Sequence, residues 1–375
     1  MFMPEGKKYW VWLSSIPGLG AKKYTQLLEI FQTPENLWHA SEKELNRLPF
    51  LNEAAVNKLT DRNLRDQVEV HLENIGRYRI KVISLDHPEY PGYLKNIYDP
   101  PIVLYVRGSL KQDRIVSVVG SRKATFYGLQ TAEKISYDLA KRGITVASGM
   151  ARGVDSYAHN GALNAGGRTL AVLGCGPDIV YPPENGALME KIIESGAVIS
   201  EFLPGFPPLP QNFPARNRII SGISLGVAVI EANERSGSLI TANFALEQGR
   251  EVFAVPGNVT SVNSKGTNKL IKEGAKMVTD IEDILEELKF FEISNTNTNP
   301  MEKESENDAK RNRLLAGLSP EEKTVARNLE GEALHIDSLA QKCGLSMKEI
   351  NAILILLELQ GIIEQLPGKF YKLRP

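Results

Sequence analysis

Apolar positions change their period along this chain, and the changes mark its parts. Between residues 114 and 288, short β-branched runs alternate with stretches at helical spacing. The run 115–119 is continuous and stops at Gly120, and 144–147, 169–173, 198–200, 227–230, 252–255 and 277–279 follow. Helical spacing fills 132–141 and 154–164. Apolar runs without polar alternation are strands buried on both faces, and strands separated by helices pair in parallel. The expected core is α/β, a Rossmann-like doubly wound parallel sheet.

The flanks have a different period. Residues 9–75 carry apolar side chains at helical spacing, interrupted by IPGLGAKK at 16–23 and, as a weaker echo, LPFLNEAAVNKL at 48–59. A hydrophobic-Gly-hydrophobic-Gly turn before a basic helix start resembles a helix-hairpin-helix, so residues 1–78 are expected to form a helical, SAM-like domain. In that motif glycine amides at a helix N-terminus can meet a phosphate, and an ordinary helical hairpin turn uses the same residues. Phe50 and Asn52 stand where the second copy would need glycines.

A strand at 80–85 and a turn-rich stretch, DHPEYPGYLKNIYDPP, lead into the core, which places its domain at 79–290. Asn, Thr and charge crowd 294–313, a composition that cannot bury enough surface to order itself, and 291–316 is expected to be a flexible linker. The remainder, 317–375, reads as helices at 320–329, 336–342 and 346–359, then strands at 361–364 and 370–373. That is the winged-helix pattern. Its third helix offers only Lys348 as a cation against Glu349 and Glu358, so it suits contact with protein at least as well as with DNA.

Composition narrows the class. With 375 residues, 42% hydrophobic and 24% charged, the chain has material for two or three domains with cores of their own. Its 44 Lys+Arg and 45 Asp+Glu nearly cancel, so any nucleic-acid surface is a local patch. The two cysteines, Cys175 and Cys343, form no CxxC pair, which excludes a disulfide scaffold or a cysteine-based zinc site and fits a reducing compartment. Lys7 and Lys8 before the apolar 9–13 imitate a signal peptide, but Ser14, Ser15, Pro17, Gly18 and Gly20 break it. The longest uncharged apolar stretch, 219–230, is too short to span a bilayer. A soluble cytoplasmic protein without membrane or metal partners is expected.

Candidate chemistry collects in the loops after the strands, where doubly wound sheets bind ligands. These are Gly120, Ser121, Arg122 and Lys123 after the first strand, and Gly149, Arg152 and Gly153 after the second. Arg216, Asn217 and Arg218 come later, then Ser236, Gly237 and Ser238 at a helix start, and Lys265. Exposed amides at helix starts together with these cations suit several phosphates. In a helix Arg216 and Arg218 point in different directions, so one of them is expected to reach ligand.

No GxGxxG, Walker or HExxH pattern occurs, and Ser148-Gly149 stands where a dinucleotide fold keeps its ribose-binding acid. Cation loops shared among strand ends therefore suit a polymer backbone better than one nucleotide. Phe126, Tyr127, Tyr157, Phe202, Phe206 and Phe213 are near enough to stack on bases, or to pack. Asp155 and His159 sit at i, i+4, an acid/base spacing. With no nucleophile motif beside them, Asp155 is read as bracing its glycine loop and His159 as packing. Glu201 and Glu231 are read as braces for the arginines, and Cys175 as a small buried residue.

GSR, SGMARGVD, AVLGCGPDIVYPPEN, SEFLPG, FPARNRIISG, VIEA, SGSLITA, VFAVPG and GTNKLIKEGA occur in this order from 120 to 275. Together they resemble the DprA/Smf DNA-processing family, and YPGYLKNIYDPPIVLYVRG is similar to that family's lead-in. The resemblance implies a homodimer that binds single-stranded DNA and loads RecA onto it in natural transformation, with no catalytic residues, enzymatic turnover or cofactor. Arg122, Arg152, the Arg216/Arg218 pair and Lys265 then become backbone contacts. The competing expectation is a nucleotide-binding or nucleotide-hydrolysing enzyme of a related Rossmann-like fold. One such group uses a PGGxGTxxE loop, and here Pro256-Gly257-Asn258 and Gly266-Thr267-Asn268 lack its glutamate. A ligand-sensing transcriptional regulator is a third possibility, against which the poorly basic third helix counts.

Overall fold

Capping side chains start most of the N-terminal helices in this computed structural model, which describes residues 6–111, 113–295, 318–329, 334–359, 362–366 and 369–373. The helical part runs through α1 (Lys7–Ser15), α2 (Ala21–Phe31), α3 (Pro34–His39), α4 (Glu42–Leu45), α5 (Glu53–Thr60) and α6 (Arg62–Arg77). Thr33, Ser41, Asn52 and Asp61 each accept a hydrogen bond from an amide two or three residues on, which starts α3 to α6. The apolar faces close around Trp12, whose ring meets Trp38 edge-on at 5.0 Å. Arg65 lies over Trp38 at 4.9 Å. Lys58 Nζ donates to Pro17 O at 2.8 Å and ties the two hairpin turns together.

These helices seat on the sheet edge. Val82 of β1 (Lys81–Ser84) and Tyr105 of β2 (Val103–Gly108) belong to the same apolar cluster as Trp12 and Leu59. The Tyr105 hydroxyl meets Ser14 Oγ at 2.7 Å. Between the two strands lies only a short helix, α7 (Gly92–Lys95), and no crossover. The chain therefore returns antiparallel, pairing Lys81 with Val106 and Ser84 with Val103. β2 also runs antiparallel to its inner neighbour, pairing Tyr105 with Ser200. The expected parallel core sheet is thus extended by an antiparallel edge.

The parallel part contains β3 (Ile115–Val119), β4 (Thr145–Ser148), β5 (Thr169–Leu173), β6 (Ala197–Ser200), β7 (Gly226–Val229), β8 (Glu251–Ala254) and β9 (Lys276–Met277). The sheet order is β1-β2-β6-β5-β4-β3-β7-β8-β9. From β3 the chain walks one way through β6, then returns to β7 on the other side of β3. That reversal is the topological switch point, and it fixes where a ligand crevice opens.

Successive side chains of β3 serve opposite faces, as the pleat requires. Val116 and Val118 pack with α8 (Phe126–Lys141), α9 (Val154–Asn164) and α14 (Ile281–Asn295). Ile115 and Val119 pack with α11 (Asn212–Gly222), α12 (Gly237–Glu247) and α13 (Lys265–Lys272). Leu188, Met189 and Ile192 of α10 (Gly186–Ser195) cover β5 and β6 near the edge. The architecture is a Rossmann-like doubly wound sheet with helices on both faces.

The chain separates into two compact units, residues 1–292 and 293–375. Of the segment 291–316 expected as linker, 291–295 complete α14, and 296–316 lie outside the described residues. The C-terminal unit holds α15 (Pro320–Asn328), β10 (Leu334–His335), α16 (Ile336–Cys343), α17 (Met347–Leu359), β11 (Ile363–Leu366) and β12 (Phe370–Leu373). It is a winged helix, with β10 added to the expected hairpin in the order β10-β12-β11. Met347, Ile355 and Leu356 of α17 are exposed. Among the described residues no helix is long and apolar enough to cross a membrane.

Candidate nucleic-acid interface

At the switch point a cleft of about 570 Å³ opens between the loops that leave β3 and β7 and the start of α11. Gly120, Ser121, Arg122 and Lys123 line one side, and Asn233, Ser236, Gly237 and Ser238 line another. Arg216 and Asn217 of α11 lie at its base, and Tyr181, Phe213 and three prolines, Pro208, Pro210 and Pro214, form an apolar wall. A smaller hollow of about 30 Å³ adjoins it, touched by Arg122, Gly149, Arg152, Cys175 and Arg216.

The first loop is held from below by Glu231, which follows β7. Glu231 O accepts from Ser121 N at 2.7 Å. Its carboxylate accepts from Thr125 N at 2.8 Å and from Thr125 Oγ1 at 2.5 Å. Lys123 N donates to Ser121 Oγ at 3.1 Å, and Asn263 Nδ2 to Lys123 O at 3.2 Å. These bonds occupy the turn's inward-facing groups and leave the Arg122 and Lys123 side chains exposed. Glu231 therefore braces a main-chain turn, whereas its position alone had indicated a partner for arginine.

The second loop is built around a buried charge pair. Asp155 Oδ2 accepts from Gly149 N at 3.2 Å and from Ala151 N at 3.3 Å. Arg216 Nη1 donates to Gly149 O at 3.0 Å and to Val172 O, joining the second glycine loop to β5. A Cβ on Gly149 would fall 2.7 Å from Arg216 Nη2 and 2.8 Å from Asp155 Oδ2, so only glycine fits between them. Arg216 is 3% exposed. Burial pushes its guanidinium down to about 10, against the pull of Asp155. Burial likewise raises the Asp155 carboxyl, and the Arg216 charge opposes the shift.

Asp155 and His159 do not act as a pair. Asp155 serves the loop amides, while His159 Nδ1 meets Thr169 Oγ1 at 2.6 Å inside the core. Burial presses the imidazole down to about 3, leaving it neutral. Cys175 is buried, with its thiol pushed up to about 11 by desolvation. Both findings agree with structural roles for these groups.

Ser236 caps α12, accepting from Ser238 N at 3.4 Å and meeting Ser238 Oγ at 2.8 Å. Asn217 Nδ2 donates to Gly237 O at 3.3 Å and fixes this helix start beside α11. The N-terminus of α12, with its partial positive charge, thus faces the same cleft as Arg122. Beside Arg122, Tyr181 stacks on Phe213 with ring centroids 5.3 Å apart. Of the aromatic candidates, Phe213 alone lines this cleft. Phe202 and Phe206 stack on each other at 5.0 Å and line a different one.

The remaining cations divide. Arg152 touches the smaller hollow but is paired with Glu184, both exposed. Lys265 is exposed at the start of α13 and is not among the residues lining either hollow. Gly153 lines neither one; it packs against the backbone of Ser121 and Arg122. Arg218 corrects the expectation for its pair. Glu201 binds it through two oxygens, at 2.7 and 2.9 Å, and Asp99 accepts from its Nε at 3.2 Å. It lines a separate cleft of about 420 Å³, beside the hairpin turn of Gly18 and Gly20. The two carboxylates satisfy its charge and direct it away from the switch point. Among the described residues no group of three His, Cys, Asp or Glu is placed to hold a metal ion.

Sequence reasoning did not single out Glu231 as a loop brace, nor the wall of Tyr181 and prolines. The proline-rich run 204–214 was a usable signal for the wall, since each ring fixes φ and stiffens the approach to α11. An isolated acid after a strand gives no such signal.

A family model described as DNA recombination-mediator protein A matches residues 81–289, and one described as DprA winged helix domain matches 309–369. Protein Smf of Escherichia coli is 41% identical over 303 residues, spanning 78% of this chain and 77% of its own. The X-ray structure of DNA processing protein A from Streptococcus pneumoniae superimposes with a TM-score of 0.66 at 36% identity, covering 76% of this chain and 99% of that one. DNA processing protein A from Helicobacter pylori, whose structure is described for its single-stranded DNA binding mode, gives a TM-score of 0.51 at 29% identity, over 56% of this chain and 96% of that one.

Proposed function

The chain belongs to the DprA/Smf family of DNA recombination-mediator proteins, and from that premise we propose that it binds single-stranded DNA in the switch-point cleft, largely without sequence preference. The observation that carries this reading is the composition of the cleft. Arg122, Lys123 and the α12 N-terminus line one cleft together with the rings of Tyr181 and Phe213. Cations and helix amides take phosphates whatever the base, and an aromatic wall takes any base by its face. The Helicobacter pylori relative, described for single-stranded DNA binding, supports the same ligand class.

In this reading the chain acts as a homodimer that presents an extended strand to a RecA-type recombinase during DNA uptake, and it needs no cofactor or catalytic residue to do so. Two clefts in a dimer would raise avidity without new contacts. The winged-helix unit is assigned to protein contact, because α17 exposes Met347, Ile355 and Leu356 beside Lys348.

The test is a salt titration of a fluorescent single-stranded oligonucleotide, with duplex of the same sequence in parallel. The expected result is a strong single-strand preference and affinity that falls steeply as salt rises. Absent or duplex-preferring binding overturns the reading and turns attention to mononucleotide ligands.

A further inference from the structure

In an open α/β sheet, the helix that follows the first parallel strand usually offers its N-terminus to a ligand phosphate. Here that helix is α8, and its N-terminus already holds an anion. Thr125, the N-cap, gives both its amide and its hydroxyl to the Glu231 carboxylate. Gly128, one turn in, leaves the space the carboxylate occupies: a Cβ there would lie 2.5 Å from Glu231 Cδ. Glu231 is 3% exposed, so this anion does not exchange with solvent.

We propose that Glu231 is a positioning residue for the cleft. Its carboxylate takes the seat that a nucleotide phosphate would take at α8, and so presents Arg122 and the Ser121–Lys123 turn outward to a strand backbone. Two consequences follow from the geometry. Incoming phosphates are left with Arg122, Lys123 and the α12 start, which lie along the cleft rather than at one point. A single mononucleotide or dinucleotide phosphate loses the seat at α8. The inference rests on the single-strand reading for its first consequence and is independent of it for the second.

The experiment has two arms. In the first, oligonucleotide affinity and salt slope are measured for Glu231→Gln, Arg122→Ala and the double variant. If Glu231 acts through Arg122, Glu231→Gln weakens binding about tenfold, the size of one lost charge-assisted bond, and adds little once Arg122 is gone. Losses that multiply in the double variant, or unchanged binding in Glu231→Gln, overturn the proposal, since loosening unrelated to Arg122 would add. Should Glu231→Gln fail to fold, Thr125→Val removes one of the same bonds from the other side and carries the same expectation.

In the second arm, inorganic pyrophosphate is titrated while backbone amide resonances are followed. In the parent chain the amides of residues 121–123 and 237–238 shift and those of 125–128 do not; in Glu231→Ala, which empties the seat, 125–128 shift as well. Shifts at 125–128 in the parent chain overturn the proposal. If the pyrophosphate pattern holds but the oligonucleotide does not bind, the seat assignment stands and the single-strand reading alone fails.

Discussion

The Arg122 guanidinium lies over the ring of Phe213, 5.5 Å from its centroid. Phe213 is itself stacked on Tyr181. An arginine resting on an aromatic face keeps its donors at the rim and its position fixed before ligand arrives, which lowers the ordering cost of gripping a phosphate. Arg122→Ala should weaken single-strand binding and reduce the slope of log affinity against log salt by about 0.7 to 1. Arg122→Lys should restore most of the slope and less of the affinity, because an ammonium keeps the charge without the planar fork. A salt series on the three proteins checks both; an unchanged slope in Arg122→Ala moves the groove elsewhere.

Arg218, two residues after the buried Arg216, should behave in the opposite way. Its side chain is 12% exposed and that of Glu201 18%, so removing the arginine strands a carboxylate in a poorly hydrated place. Arg218→Met is expected to cost about 3 kcal/mol of stability and to leave the oligonucleotide affinity of the folded protein and its salt slope unchanged. Urea denaturation beside the binding series separates the two. A lowered slope with intact stability would return Arg218 to the ligand.

Gly153 joins the first two loops. Its φ is +76°, and a Cβ there would lie 2.3 Å from Ser121 O. Gly153→Ala should therefore cost about 1–3 kcal/mol and weaken single-strand binding, because the turn carrying Arg122 must retreat. Gly237 is the matched control in the same cleft: a Cβ built there meets nothing within 4 Å. Gly237→Ala should hold or gain stability and keep its amide for ligand. Equal losses in the two variants would mean that loop packing does not set the affinity.

Much of this arrangement was readable from residue order. Runs such as Thr169–Leu173 are buried along their whole length, so a short run without charged residues marks them without any knowledge of neighbours. The helix α9, Val154–Asn164, begins where glycines end and stops where the apolar spacing stops. The antiparallel edge was not readable, because residues 103–106 are as apolar as an inner strand and the choice of partner leaves no mark on period. Nor could spacing say which of Arg216 and Arg218 faces the cleft. Two residues apart on a helix they point different ways, and only the positions of Asp99 and Glu201, far off in sequence, decide between them.

The core histidine gives a prediction that does not involve ligand. His159 is wholly buried, and desolvation, with the nearby Arg216 charge adding to it, lowers its pKa from 6.5 to about 3. Above pH 6.5 the imidazole is neutral in both folded and unfolded chains and contributes no pH dependence. As the pH falls below 6.5 the unfolded chain takes up a proton that the folded one refuses, so stability declines until about pH 3, where the folded form also titrates. At pH 5 this amounts to about 2 kcal/mol. His159→Gln removes the titrating group, and Asp155 and the other carboxyls remain in both proteins. The variant is expected to be less stable than the parent at pH 7, having lost the contact with Thr169, and to lose about 2 kcal/mol less than the parent between pH 7 and pH 5. Denaturation midpoints at the two pH values measure the difference; parallel declines would mean that His159 is protonated or solvated in the fold.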